Sequence, residues 1–159
     1  MKRLLLTLAV CGVALACFSA YAAKPASFDD VATRALLAME KRATELHIQG
    51  AAVVAFAEGA SVTGWSSKMR VVGSFTKEGK APEPPANLLA IAYTKASEMA
   101  HTGKDSGHAG RPVYVGETGW KGGVTKKVKR GFVFAAFSGG PSEDDVKVSQ
   151  AGLEVLDRL

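Results

Sequence analysis

Three histidines, His47, His101 and His108, carry the side chains of this sequence best suited to chemistry at neutral pH. An imidazole can take up or release a proton there, or offer a nitrogen lone pair to a metal. Their spacing is not that of a zinc motif. His101 and His108 are separated by the glycine-rich stretch GKDSGHAGR, residues 103–111, so they need not share a helix face. Met99, Lys104, Arg111 and Tyr114 lie close to them along the chain. His47 is expected at a helix C-terminus, where the dipole favours an imidazolium, and is read as structural.

Other catalytic signatures are absent from the sequence. There is no Cys-x-x-Cys-His, which excludes covalent c-type haem, and no Gly-x-Ser-x-Gly elbow, Walker loop or dinucleotide fingerprint. Ser138-Gly139-Gly140 before a helix would present backbone N–H groups to an anion. Glu143, Asp144 and Asp145 follow at once and would repel a phosphate, so a tight turn with an acidic helix start is the better reading. Cation binding by Asp144 and Asp145 is weaker still, because acidic first turns are routine. Lys126, Lys127, Lys129 and Arg130 form the densest basic cluster. Without interleaved aromatics they read as a solvated edge strand guarded against pairing, and no nucleic-acid partner is expected. Trp65 and Trp120 are read as core or interface residues rather than ligand contacts.

These residues need a scaffold, and the chain can build one. It has 159 residues, 47% hydrophobic and 22% charged, with a net charge of +5. That supports one domain with one core, and excludes long disordered or repeat architectures. Lys2 and Arg3 precede an apolar run from Leu4 to Phe18, broken at Thr7, and Ala20-Tyr21-Ala22 fits a small-x-small cleavage site. Residues 1–22 are therefore expected to be a secretory signal, leaving a domain over 23–159 that is periplasmic or secreted. Cleavage would remove Cys11 and Cys17, the only cysteines, and with them any disulfide or thiolate chemistry. Lipidation at Cys17 is disfavoured by Ala14. Past the leader no apolar span is long enough for an integral membrane segment.

Apolar residues recur at helical spacing from about Phe28 to His47, with Ser27 as cap, Asp30 completing a capping-box-like pair, and Gly50 as a stop. Residues 51–57 (AAVVAFA) predict a buried strand, and residues 61–72 a second strand antiparallel to it. The proline-rich run 76–87 is expected to form neither helix nor strand. Asn87 should cap a helix whose apolar stripe includes Ala92, Lys95, Ala96 and Met99, ending near Gly103. Val113-Tyr114-Val115 predicts a short strand, 123–130 an edge strand and 132–138 (FVFAAFS) a buried one. Ser142 is expected to cap a last helix. The fold class is α+β: an antiparallel sheet of about five strands packed with helices, in the order α-β-β-α-β-β-β-α.

This order and three segments resemble the GlcG/HbpS family of haem-binding proteins, also called the haem-degrading domain family. The segments are LLAIAYTKAS (88–97), FVFAAFSGG (132–140) and EDDVKVSQAGLEVL (143–156). Two positions depart from the family pattern: Ala109-Gly110-Arg111-Pro112 stands where Gly-Gly-Xaa-Pro is usual, and Glu58-Gly59-Ala60 where Asp-Ala-Gly-Gly is typical. The resemblance implies an exported haem or tetrapyrrole-binding protein and a homo-oligomer. A haem needs an axial ligand, an apolar slot and a cation for its propionates. His101 or His108 would supply the iron ligand, with Met99, Tyr114 and Arg111 or Lys104 around the macrocycle. The alternatives are a haem-degrading or other small-molecule enzyme on the same fold, and a cofactor-free accessory protein.

Overall fold

The computed structural model describes residues 27–108 and 110–159, so the expected leader and its cleavage site at Ala22 lie outside the described residues. Three helices and six strands follow one another: α1 (Phe28–Glu45), β1 (Gly50–Glu58), β2 (Ser66–Val72), β3 (Thr76–Lys77), β4 (Ala86–Asn87), α2 (Leu88–Thr102), β5 (Gly123–Val128), β6 (Gly131–Ser138) and α3 (Ser142–Leu156). The main sheet has four antiparallel strands in the order β2-β1-β6-β5, and β3 pairs with β4 in a separate two-stranded arm. The α+β class holds, with four strands in the main sheet instead of about five.

The apolar runs of β1 and β6 are continuous because both strands are central and covered on both faces. Ala52, Val54 and Phe56 of β1, with Val133, Ala135 and Phe137 of β6, pack against α1 and α3. The intervening Val53, Ala55 and Ala57, with Phe134 and Ala136, pack against α2. The pleat sends alternate side chains to opposite layers, so a strand buried on both sides has no polar face to alternate with. Each fully buried Val or Phe contributes roughly 1.5–3 kcal/mol. The register Ala51↔Ser138 to Glu58↔Gly131 carries this pattern from one strand to the other.

The caps follow the local chemistry. Ser27 Oγ accepts from Asp30 N at 3.2 Å, and Asn87 Oδ1 accepts from Ala90 N at 3.0 Å. Gly103 closes α2 in the left-handed region at φ 64°. Four local expectations are corrected. Gly50 does not stop α1; the helix ends at Glu45, and Gly50 begins β1. Ser142 is the first residue of α3, and Pro141 holds the cap position without a side-chain hydrogen bond. The run 76–87 does form strands, two residues each, at its ends, where Thr76↔Asn87 and Lys77↔Ala86 pair around the prolines. Val113-Tyr114-Val115 is not a strand. The open edge of β5 is occupied instead by the preceding loop: Ser106 N donates to Gly123 O at 3.1 Å, Gly123 N to Ser106 Oγ at 2.8 Å, and Thr125 N to Asp105 Oδ1 at 2.8 Å. The basic cluster is the solvated edge expected: Lys126 pairs with Asp157 at 2.6 Å and Arg130 with Glu58 at 2.8 Å.

One polar contact joins the two helical layers. Lys95 of α2 is 2% exposed; its Nζ donates to Phe137 O at 2.7 Å and to Asp145 Oδ2 of α3 at 2.8 Å. Burial pushes the Lys95 ammonium pKa down and that of Asp145 up, and their mutual attraction opposes both shifts. The bond passes Gly122, whose φ is +128° and where a Cβ would land on Lys95 Nζ. Gly122→Ala is expected to cost about 2–3 kcal/mol in urea unfolding. Gly103→Ala, which meets open space, should cost only about 1 kcal/mol. Lys95→Met, which leaves Asp145 buried without its cation, should cost roughly 3–5 kcal/mol, and adding Asp145→Asn should recover much of that loss.

Candidate functional site

The C-terminal end of α2 and the loop from 103 to 122 form a carboxylate-wired corner. Glu98, one turn before the helix end, is 4% exposed, and its two oxygens accept from Gly107 N at 2.8 Å and Gly119 N at 3.2 Å. A single buried side chain thus pins both halves of the loop. Glu117 ties the second half of the loop to the end of α2. It accepts from Tyr114 N at 3.0 Å, Arg111 Nη2 at 2.7 Å and His101 Nδ1 at 3.1 Å. These bonds, led by the Tyr114 amide and followed by Arg111 and His101, lower the Glu117 pKa from 4.5 to about 2.

That ionisation fixes the histidine. A carboxylate can only accept, so the proton of the contact sits on His101 Nδ1, and Nε2 keeps the lone pair when the ring is neutral. Metal-bound histidines are commonly oriented by such a carboxylate. The His101 ring lies 4.8 Å from the Tyr114 ring, and the Arg111 guanidinium sits 5.0 Å from the centre of that ring. His101, His108, Arg111 and Tyr114 line one hollow of about 220 Å³, joined by Thr102 and Lys104.

Four of the five residues singled out in the sequence therefore converge: His101, His108, Arg111 and Tyr114. Met99 does not. It is fully buried between α2 and the sheet, with its Cε facing Gly123, because its position on the inward stripe of α2 commits it to the core. Among the described residues, no group of three or more His, Cys, Asp or Glu side chains gathers as a metal site. An axial imidazole needs no such cluster.

Sequence reasoning missed Glu98, Glu117 and the pairing of Lys95 with Asp145. Lys95 had a signal: a lysine on an apolar helical stripe needs a buried acceptor or carboxylate. Glu117 had none, because its three partners come from two loop segments and a helix end. The Ser138-Gly139-Gly140 turn does hold an anion, but it is the chain's own: Gly140 N donates to Asp145 Oδ1 at 2.9 Å.

A second and larger cavity, about 770 Å³, opens between the β3–β4 arm, the start of α2 and the Ser138-Gly139-Gly140 turn. Lys95 and Trp120 line it. Among the described residues no helix is long and apolar enough to cross a membrane. No model of a known protein family matches the chain, and no curated protein sequence matches it.

Glu117 gives the corner a defined pH response. Its folded-state pKa lies below the ordinary value, so its contribution to stability is complete above pH 4.5 and is lost as pH falls toward about 2. The difference in thermal stability between the protein and Glu117→Gln should shrink steadily as pH falls from about 4.5 toward 2. A difference that grew over that range would contradict the hydrogen-bond network.

Proposed function

We propose that the protein is an exported binding protein for haem or a closely related tetrapyrrole, with His101 as the iron ligand. One observation carries the reading. The ionised Glu117 holds His101 at Nδ1 and leaves Nε2 as the free nitrogen, the arrangement that orients a metal-binding imidazole. The neighbouring residues suit the rest of the molecule. Arg111 and Lys104 are cations for propionates, and Tyr114 offers a ring that is 57% exposed. The sequence resemblance supports the same ligand.

The donor set fits haem, and the hollow sets the manner of binding. At about 220 Å³ it is smaller than the ~300–1,000 Å³ of clefts that enclose a ligand, so part of the macrocycle would remain outside it. Exposed Val113 and Val115 on the same loop provide apolar surface beside it. When bound, haem supplies an iron centre with its own redox and oxygen chemistry. The chain's part is to hold and orient the imidazole, pair the propionates and cover one side of the ring.

Titration of the purified protein with haemin, followed at the Soret band, tests this. A saturable shift is expected. His101→Ala should abolish it, and Arg111→Ala should weaken binding about tenfold, or 1.4 kcal/mol, with the band position kept. His108→Ala should leave the band in place. No shift in the wild-type protein, or an unchanged one in His101→Ala, would sink the reading. Bleaching of the band with reductant and oxygen, with release of open-chain products, would move the assignment from carrier to degrading enzyme.

A further inference from the structure

The geometry points to a second binding site in the larger cavity, for a small uncharged molecule with an apolar body and one carbonyl oxygen. The site is independent of the His101 hollow. Its defining group is the Lys95 ammonium, which has three hydrogens to donate. Phe137 O and Asp145 Oδ2 take two of them, and among the described residues no third acceptor lies within hydrogen-bond distance. Lys95 is 2% exposed and is one of the residues that line the cavity. A buried ammonium with a spare donor favours an acceptor brought in from outside.

The walls define the rest of the ligand. Leu88, Ile91, Pro84, Pro85 and Trp120 give the cavity a mainly apolar lining. Its volume, about 770 Å³, lies within the ~300–1,000 Å³ range of small-molecule sites. Its charges cancel: Lys77, Lys95 and Lys121 face Glu78, Glu83 and Asp145. Asp145 is already bound on both oxygens, by Lys95 and by Gly140 N. The cavity therefore offers a hydrogen-bond donor without a net field for an anion. A neutral carbonyl compound meets both conditions at the Lys95 ammonium, whereas a carboxylate placed there would bring a second charge beside Asp145, which already pairs with that cation.

Three probes with similar bodies separate the possibilities: acetophenone, ethylbenzene and benzoate. Binding is read by two-dimensional NMR at the Gly122 and Gly139 amides and the Trp120 indole. Acetophenone is expected to shift these signals saturably. Ethylbenzene, which has no acceptor, and benzoate, which is charged, should each bind at least tenfold more weakly. Ile91→Trp keeps Lys95 and Asp145 but sets an indole one helical turn from the ammonium, and should weaken acetophenone binding at least tenfold. His101→Ala should leave it unchanged, so failure here and failure of the haem reading are told apart. Equal binding of ethylbenzene and acetophenone, tighter binding of benzoate, undiminished binding in Ile91→Trp, or no binding of acetophenone would each overturn the proposal.

Discussion

The bond from Lys95 to Asp145 is the contact on which the arrangement of layers turns. α2 covers one face of the sheet, α1 and α3 cover the other, and the sheet itself is a continuous apolar partition between them. Apolar contacts hold each layer to the sheet but do not set one layer relative to the other, because burial is non-directional. A charge-assisted hydrogen bond is directional. Lys95 reaches past the end of the partition, takes Phe137 O on the way and ends on Asp145, which also fastens the turn leading into α3. Ser149 adds a second tie, donating to Gly122 O at 2.6 Å. Both meet at Gly122, where a Cβ would collide with Lys95 Nζ.

The candidate haem corner uses the same device with less burial. Between Gly103 and Gly122 the described residues form no regular strand or helix, so their shape must come from side chains. Glu98 and Glu117 provide it: Glu98 collects the backbone N–H groups of Gly107 and Gly119, and Glu117 that of Tyr114 together with the Arg111 and His101 side chains. Glu98 anchors the loop from below, and Glu117 holds the groups exposed at its surface. The imidazole, guanidinium and phenol that line the hollow are thus placed by carboxylates that need not themselves touch a ligand.

Much of this was legible in the sequence, for reasons that can be located. The helices were marked by periodic apolar residues and by caps such as Ser27, Asn87 and Gly103, which act within a few residues. FVFAAFS and AAVVAFA announced strands because double-sided burial excludes polar residues from them. What could not be read depends on contacts distant in sequence. Val113-Tyr114-Val115 has strand-type residues, but the near end of the β5 edge is met at Gly123 and Thr125 by Ser106 and Asp105 instead. Lys95 could be placed on an inward stripe, but its partner lies 50 residues on, at a helix start where acidic residues have a routine explanation. Of the proposed site, the clustering of His101, His108, Arg111 and Tyr114 was foreseen, while Met99 was claimed by the core.

Asp105 and Ser106 cap the start of the β5 edge, at Gly123 and Thr125, and its exposed lysines guard the rest. Among the described residues, β2 is the other border strand of the main sheet, and alternate residues along it turn their backbone N–H and C=O groups away from β1. An incoming strand would pair with those groups. Lys68 stands on that strand and is tethered to Asp29 of α1 at 3.3 Å, a charge that hinders unspecific edge-to-edge stacking. A pairing of β2 with β2 of a second copy would be two-fold, closing after one step rather than extending into a fibre.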